Sequence, residues 1–116
     1  MQESLELETK LFEMHAALCQ TLANPIRLRI LNALTDDEKS VNKLVELVGV
    51  PQANISQHLA VLRDRNVVAA RRDGVSIYYS IANPKIIKAC NLIREVLFEQ
   101  MAATGQLAKK YERLAK

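Results

Sequence analysis

The chain has 116 residues and a net charge of +3, with 49% hydrophobic and 25% charged side chains. That suits one globular domain around one small core and excludes a disordered chain. No apolar run approaches the roughly 18 residues that a membrane span needs. The acidic start MQESLELETK is unlike the basic start of a secretory signal, so a cytoplasmic location is expected.

The apolar residues Leu7, Leu11, Met14, Leu18 and Leu22 recur at helical spacing and predict an amphipathic helix over 5–22. In ANPIRLRILNAL, Asn24 suits an N-cap and Pro25 the first helical position, so a second helix starts there. TDDEK is a polar break. Ser40 then caps a helix whose Val41, Leu44, Val45 and Val48 share one face, and Gly49 stands where a helix end needs a positive φ. The stretch QANISQHLAVLRDRNVV, residues 52–68, opens another helix near Pro51 with Ile55, Leu59 and Leu62 on its buried side. Two helices across so short a turn form a helix-turn-helix over 40–64.

In VVAARRDGVSIYYSI two β-prone runs flank Asp73-Gly74, the signature of a two-stranded wing over 67–81. NPKIIKACNLIREVLFEQM repeats the Asn-Pro start and gives a long helix over 84–104, with Ile86, Cys90, Ile93, Leu97 and Met101 along one seam. The basic tail QLAKKYERLAK reads as a short helix or a fraying end. The expected fold is mainly α with a small β-hairpin: a single winged helix-turn-helix domain, 1–116, with an amphipathic helix at either side.

The first turns of the 52–68 helix carry Gln52, Asn54, Ser56, Gln57 and His58, hydrogen-bonding side chains without fixed charge. Such a set matches the donors and acceptors of base edges in the DNA major groove. Cations lie to the sides, Arg63 and Arg65 near the helix end and Arg71 and Arg72 on the wing, where phosphates are met. The charge balance is −3 over residues 1–20, +2 over 61–75 and +4 from residue 83 onward, which also suits an anionic partner. The rival reading is a winged helix that binds a protein and leaves the same face solvated. There is no CxxC, no HExxH and no glycine-rich phosphate loop, so neither catalysis nor a cofactor is expected.

LANPIRLRIL, then ISQHLAVLRDRNVV, then IYYSI resemble the ArsR/SmtB family of metal- and redox-responsive repressors, over about residues 15 to 100. The resemblance implies a homodimer joined through its first and last helices. It also implies binding to an imperfect inverted repeat in double-stranded DNA and release by an inducer. Pro51 departs from the family, where a Ser often caps this helix. Of the two metal sites the family uses, the stretch matching the cysteine site is KLVELVG, without Cys or His. The site on the last helix falls on Asn83, Lys85, Val96 and Glu99, of which only Glu99 can ligate.

That leaves Cys19 and Cys90, expected as thiols rather than a structural disulfide. One reading makes them a sensor of oxidants or reactive sulfur species at the dimer interface. A second makes them, with His15 four residues before Cys19, ligands for a soft metal or a metalloid such as arsenite. A third leaves both as small buried hydrophobes.

Overall fold

The computed structural model describes residues 1–105, so the basic tail from Gln106 lies outside the described residues. The chain divides into two compact units, Met1–Asn83 and the helix from Pro84 onward. The first contains helices α1 (Gln2–Leu22), α2 (Pro25–Ala33), α3 (Val41–Val48) and α4 (Gln52–Asp64), with strands β1 (Lys39–Ser40), β2 (Val68–Asp73) and β3 (Ser76–Ile81). The second is helix α5 (Pro84–Thr104).

The expected punctuation is realised in detail. The Asn24 carboxamide oxygen accepts from the backbone N–H groups of Ile26 (2.9 Å) and Arg27 (3.1 Å), with Pro25 behind it. Ser40 Oγ accepts from Lys43 N at 3.1 Å. Gly49 closes α3 at φ +79°, in the left-handed region where a Cβ would be strained. Pro51 stands at the N-cap of α4 and makes no side-chain capping bond.

At its other end α4 stops in a pair of backbone bonds: Val67 N donates to Leu62 O at 2.9 Å and Asn66 N to Arg63 O at 3.0 Å. This is the six-to-one and five-to-two pairing of a Schellman motif, with Asn66 at φ +61° in the place usually given to glycine. Val67 also starts the wing, since its carbonyl accepts from Ala82 N at 3.1 Å.

The wing differs from expectation in two respects, its number of strands and the position of its turn. It is a three-stranded antiparallel sheet in the order β1-β3-β2, because Lys39 and Ser40 pair with Tyr79 and Tyr78. The polar break before Ser40 therefore ends in a short edge strand. Asp73 pairs with Ser76, so the hairpin loop is Gly74-Val75. Gly74 has φ +62° while Val75 is not in the left-handed region, the combination of a type II′ turn.

The core of the first unit gathers Ile30, Leu31 and Leu34 from the α2 region, Leu44 and Val48 from α3, and Ile55, Leu59 and Leu62 from α4. Val67, Val68 and Tyr79 complete it from the wing side. One polar link crosses it. Arg27 donates through Nε to His58 Nδ1 at 3.1 Å and through Nη1 to the Thr21 carbonyl at 3.1 Å, tying the last turn of α1 to α4.

Because Nδ1 accepts, the neutral His58 ring carries its proton on Nε2. Burial, and secondly the Arg27 charge, hold its pKa below the ordinary imidazole value. The unfolded chain then binds more protons than the folded one as pH falls through about 6.5, so folding stability declines there and levels off below the folded pKa. The melting temperature should drop as pH is lowered through that window, and His58→Gln should flatten the dependence. An unaltered pH profile in that variant would count against the link.

Candidate nucleic-acid interface

Ile55, Leu59 and Leu62 are buried, and this fixes which way α4 is rolled. At about 100° per residue, Gln57 stands about 200° round the helix from Ile55 and faces outward. Gln52, Asn54, Ser56 and Gln57 are all exposed, and none has a side-chain partner among the described residues. Four of the five side chains expected to read bases are thus displayed together. His58 is the correction. It lies about 300° round the helix from Ile55, is half-buried, and its Nδ1 is taken by Arg27. It braces α4 from behind and is not part of the outward set.

Gln52 and Ser56, one turn apart, line a cleft of about 400 Å³ between α4 and the wing, together with Ser40, Asn42, Ser76 and Tyr79. The cleft is lined by uncharged side chains. Asn42 and Ser76 were not legible as site residues, since only the packing of α3 and the wing tip beside α4 brings them there. Val75, at the tip, is fully exposed.

The four arginines divide. Arg63 and Arg65 lie at the far end of α4, about 15–20 Å of helix axis from Gln52. Arg63 stands 3.6 Å from Asp64, and Arg65 lines an apolar groove of about 640 Å³ with Leu11, Phe12, Met14 and Leu18 of α1. The wing arginines are neighbours in sequence, so they rise from opposite faces of β2. Arg72 pairs across the sheet with Ile77, on the face that lines the cleft beside α4. Arg71 pairs with Tyr78 on the outer face, where its guanidinium lies 4.8 Å above the Tyr78 ring. There it forks onto Glu38, with Nη2 to Oε1 at 2.6 Å and Nε to Oε2 at 3.3 Å. The hydrogen bond from Arg71 holds the Glu38 carboxyl below the usual carboxylate range, and Glu38 in turn raises the Arg71 pKa.

Cys19 is exposed on α1, and His15 is exposed one helical turn before it. Cys90, on α5, is buried. Among the described residues no three His, Cys, Asp or Glu side chains gather as a metal site, and no helix is long and apolar enough to cross a membrane.

Comparison with known proteins agrees with this architecture. The model of the bacterial regulatory protein, arsR family, matches residues 24–70, which run from the Asn24 cap into β2. Rv0081 of Mycobacterium tuberculosis, an uncharacterized HTH-type transcriptional regulator, is 46% identical over 88 residues, or 75% of this chain and 77% of that protein. Its crystal structure superposes with a TM-score of 0.73 at 42% identity, over 81% of this chain and 95% of the other. The transcriptional repressor PagR of Bacillus anthracis is 39% identical over 93 residues, 77% of this chain and 93% of PagR. The homodimeric winged helix-turn-helix DNA-binding domain Mb0332 of Mycobacterium bovis superposes with a TM-score of 0.73 at 30% identity, over 81% of this chain and 87% of its own. With the winged helix-turn-helix in place and relatives of this closeness along most of its length, the chain belongs to the ArsR family of bacterial regulatory proteins and is a transcriptional regulator, not an enzyme.

Proposed function

We propose that the chain is a homodimeric repressor that binds an imperfect inverted repeat in double-stranded DNA and is released by an inducer acting on its thiols. The observation that carries the DNA reading is the outward set Gln52, Asn54, Ser56 and Gln57, unpartnered and uncharged on a helix whose roll is fixed by its buried edge. Amide side chains make bidentate bonds to adenine, and hydroxyls reach other edges. Arg72, on the same side of the wing as the cleft, and Arg63 and Arg65 at the helix end supply backbone contacts.

Dimerisation is supported by what α1 and α5 leave exposed. Leu7 (70%), Leu11 (61%) and Met14 (61%) on α1, and Leu92, Ile93, Val96 and Leu97 on α5, are all open to solvent in a single chain. Apolar stripes of that length mark a surface meant to be covered, and the related Mb0332 domain is a homodimer.

Thiol sensing is supported by the exposure of Cys19, two residues before Thr21, whose carbonyl is held by the same Arg27 that holds His58 on α4. A change at Cys19 is therefore two residues and two hydrogen bonds from the reading helix. Cys90 is the second thiol of this reading, buried at 7% exposure. The metal or metalloid alternative has fewer supports, since no three ligand side chains gather among the described residues.

Three outcomes test the proposal. Against a duplex enriched from a random pool, Gln57→Ala should lose about 1–3 kcal/mol and relax the sequence preference, while Arg72→Ala should weaken all DNA alike and reduce the salt slope by about 1. A Gln57→Ala loss of equal size on selected and random DNA contradicts the base-reading role, and binding with neither salt dependence nor preference favours the protein-interaction reading. In sedimentation the chain should run as a dimer that Leu11→Glu dissociates. Peroxide, persulfide or arsenite should weaken DNA binding, with a mass change at Cys19 that Cys19→Ser abolishes. Treated protein with unchanged mass and unchanged affinity would rule out both inducer classes.

A further inference from the structure

Arg71 has three neighbours on its outer face of the wing. Glu38 takes the Nε–Nη2 edge of its guanidinium, at 2.6 and 3.3 Å, Tyr78 lies under it at 4.8 Å, and Asp73 Oδ2 is 3.9 Å from Nη1. Glu38 immediately precedes the edge strand β1, so its side chain reaches across β3 to an arginine on β2. The other wing arginine, Arg72, has no ion-pair partner among the described residues. Two adjacent arginines on a DNA-facing hairpin are thus unequal: one is free and one is already engaged by a carboxylate.

A carboxylate presented to the guanidinium fork offers the same two anionic oxygens, at the same spacing, as a backbone phosphate. Both groups of this pair remain about half or one-third exposed, 53% for Arg71 and 37% for Glu38, so an external anion can reach them. A solvent-exposed pair of this kind is held weakly enough for another anion to exchange with it.

We infer that Glu38 is a resident substitute for phosphate on Arg71, which sets how strongly the wing grips the DNA backbone. In the free protein Glu38 occupies the guanidinium. A DNA phosphate that takes the same Nε–Nη2 edge displaces it, and the displaced carboxylate is left beside the polyanion. Glu38 thereby keeps sequence-independent affinity low, leaving discrimination to the reading helix. The acids just before it are placed differently, since Asp36 pairs with Lys39 at 3.0 Å and does not touch Arg71.

The inference rests on the reading of the wing as a DNA contact, and the test separates the two. Binding of a random-sequence duplex is measured against salt for the unaltered protein, Glu38→Gln, Asp36→Asn, and Glu38→Gln combined with Arg71→Gln, with thermal melts alongside. Glu38→Gln should tighten binding roughly three- to tenfold and make the log–log salt slope steeper by about 1, the signature of one more phosphate contact. Asp36→Asn, which removes an equal charge from the same loop, should change neither, and the Glu38→Gln gain should vanish when Arg71 is also replaced.

In the unaltered protein the Arg71 Nε–H resonance, identified by its loss in Arg71→Lys, should shift when duplex is added. If Glu38→Gln lowers the melting temperature without tightening binding, or if Asp36→Asn matches it, the inference is overturned while the DNA reading stands. If the unaltered protein binds no duplex in a salt-dependent way, both are overturned.

Discussion

Burying Ile55, Leu59 and Leu62 takes the one apolar edge of α4 out of water, at about 1.5–3 kcal/mol for each side chain, and in doing so sets the rotation of the helix about its axis. Every polar residue on α4 inherits its direction from that rotation. Gln57 points away because Ile55 points in, and His58 is drawn inward because its position falls beside the buried edge. A single hydrogen bond, with a net worth of about 1 kcal/mol between neutral groups, has less leverage than the three burials together. The outward polar face is a by-product of the core.

Around that helix, backbone devices settle position rather than roll. Asn24 and Ser40 each fix where a helix begins by taking amide hydrogens that would otherwise go unpaired, and Gly49 permits the reversal that swings α4 across α3. Arg27 adds a brace beside the buried edge, joining the end of α1 to α4 through a carbonyl and an imidazole. The end of the helix that carries the exposed thiol is thus connected to α4 through a few half-buried polar atoms. Such bonds are directional and sensitive to charge, whereas the packing around them is neither.

Much of this was legible in the sequence because it rests on short-range chemistry. The caps, the glycine at the end of α3, the buried edge of α4 and the hairpin each leave a mark within a few residues. What escaped was set by partners remote in sequence. A two-residue strand at Lys39–Ser40 has no periodicity to detect and exists only because Tyr78 and Tyr79 lie beside it. The turning of His58 toward Arg27 joins residues 31 positions apart. The inequality of Arg71 and Arg72 was half visible, since neighbours on a strand must face opposite ways, but the Glu38 that occupies one of them is 33 positions distant. The cleft that adds Asn42 and Ser76 to the interface likewise arises from three separate elements.

The Schellman closure at the end of α4 leaves no slack between reading helix and wing. Val67 completes the cap through its amide and opens the sheet through its carbonyl, so a single residue belongs to both. Asn66, held in the left-handed region beside it, turns the chain from helix into hairpin. Helix and hairpin share this junction, so a tilt of α4 is passed to the strand that follows it. In the dimer proposed above, a signal would then act by altering the spacing and tilt of the two copies instead of reshaping the hand that each copy extends.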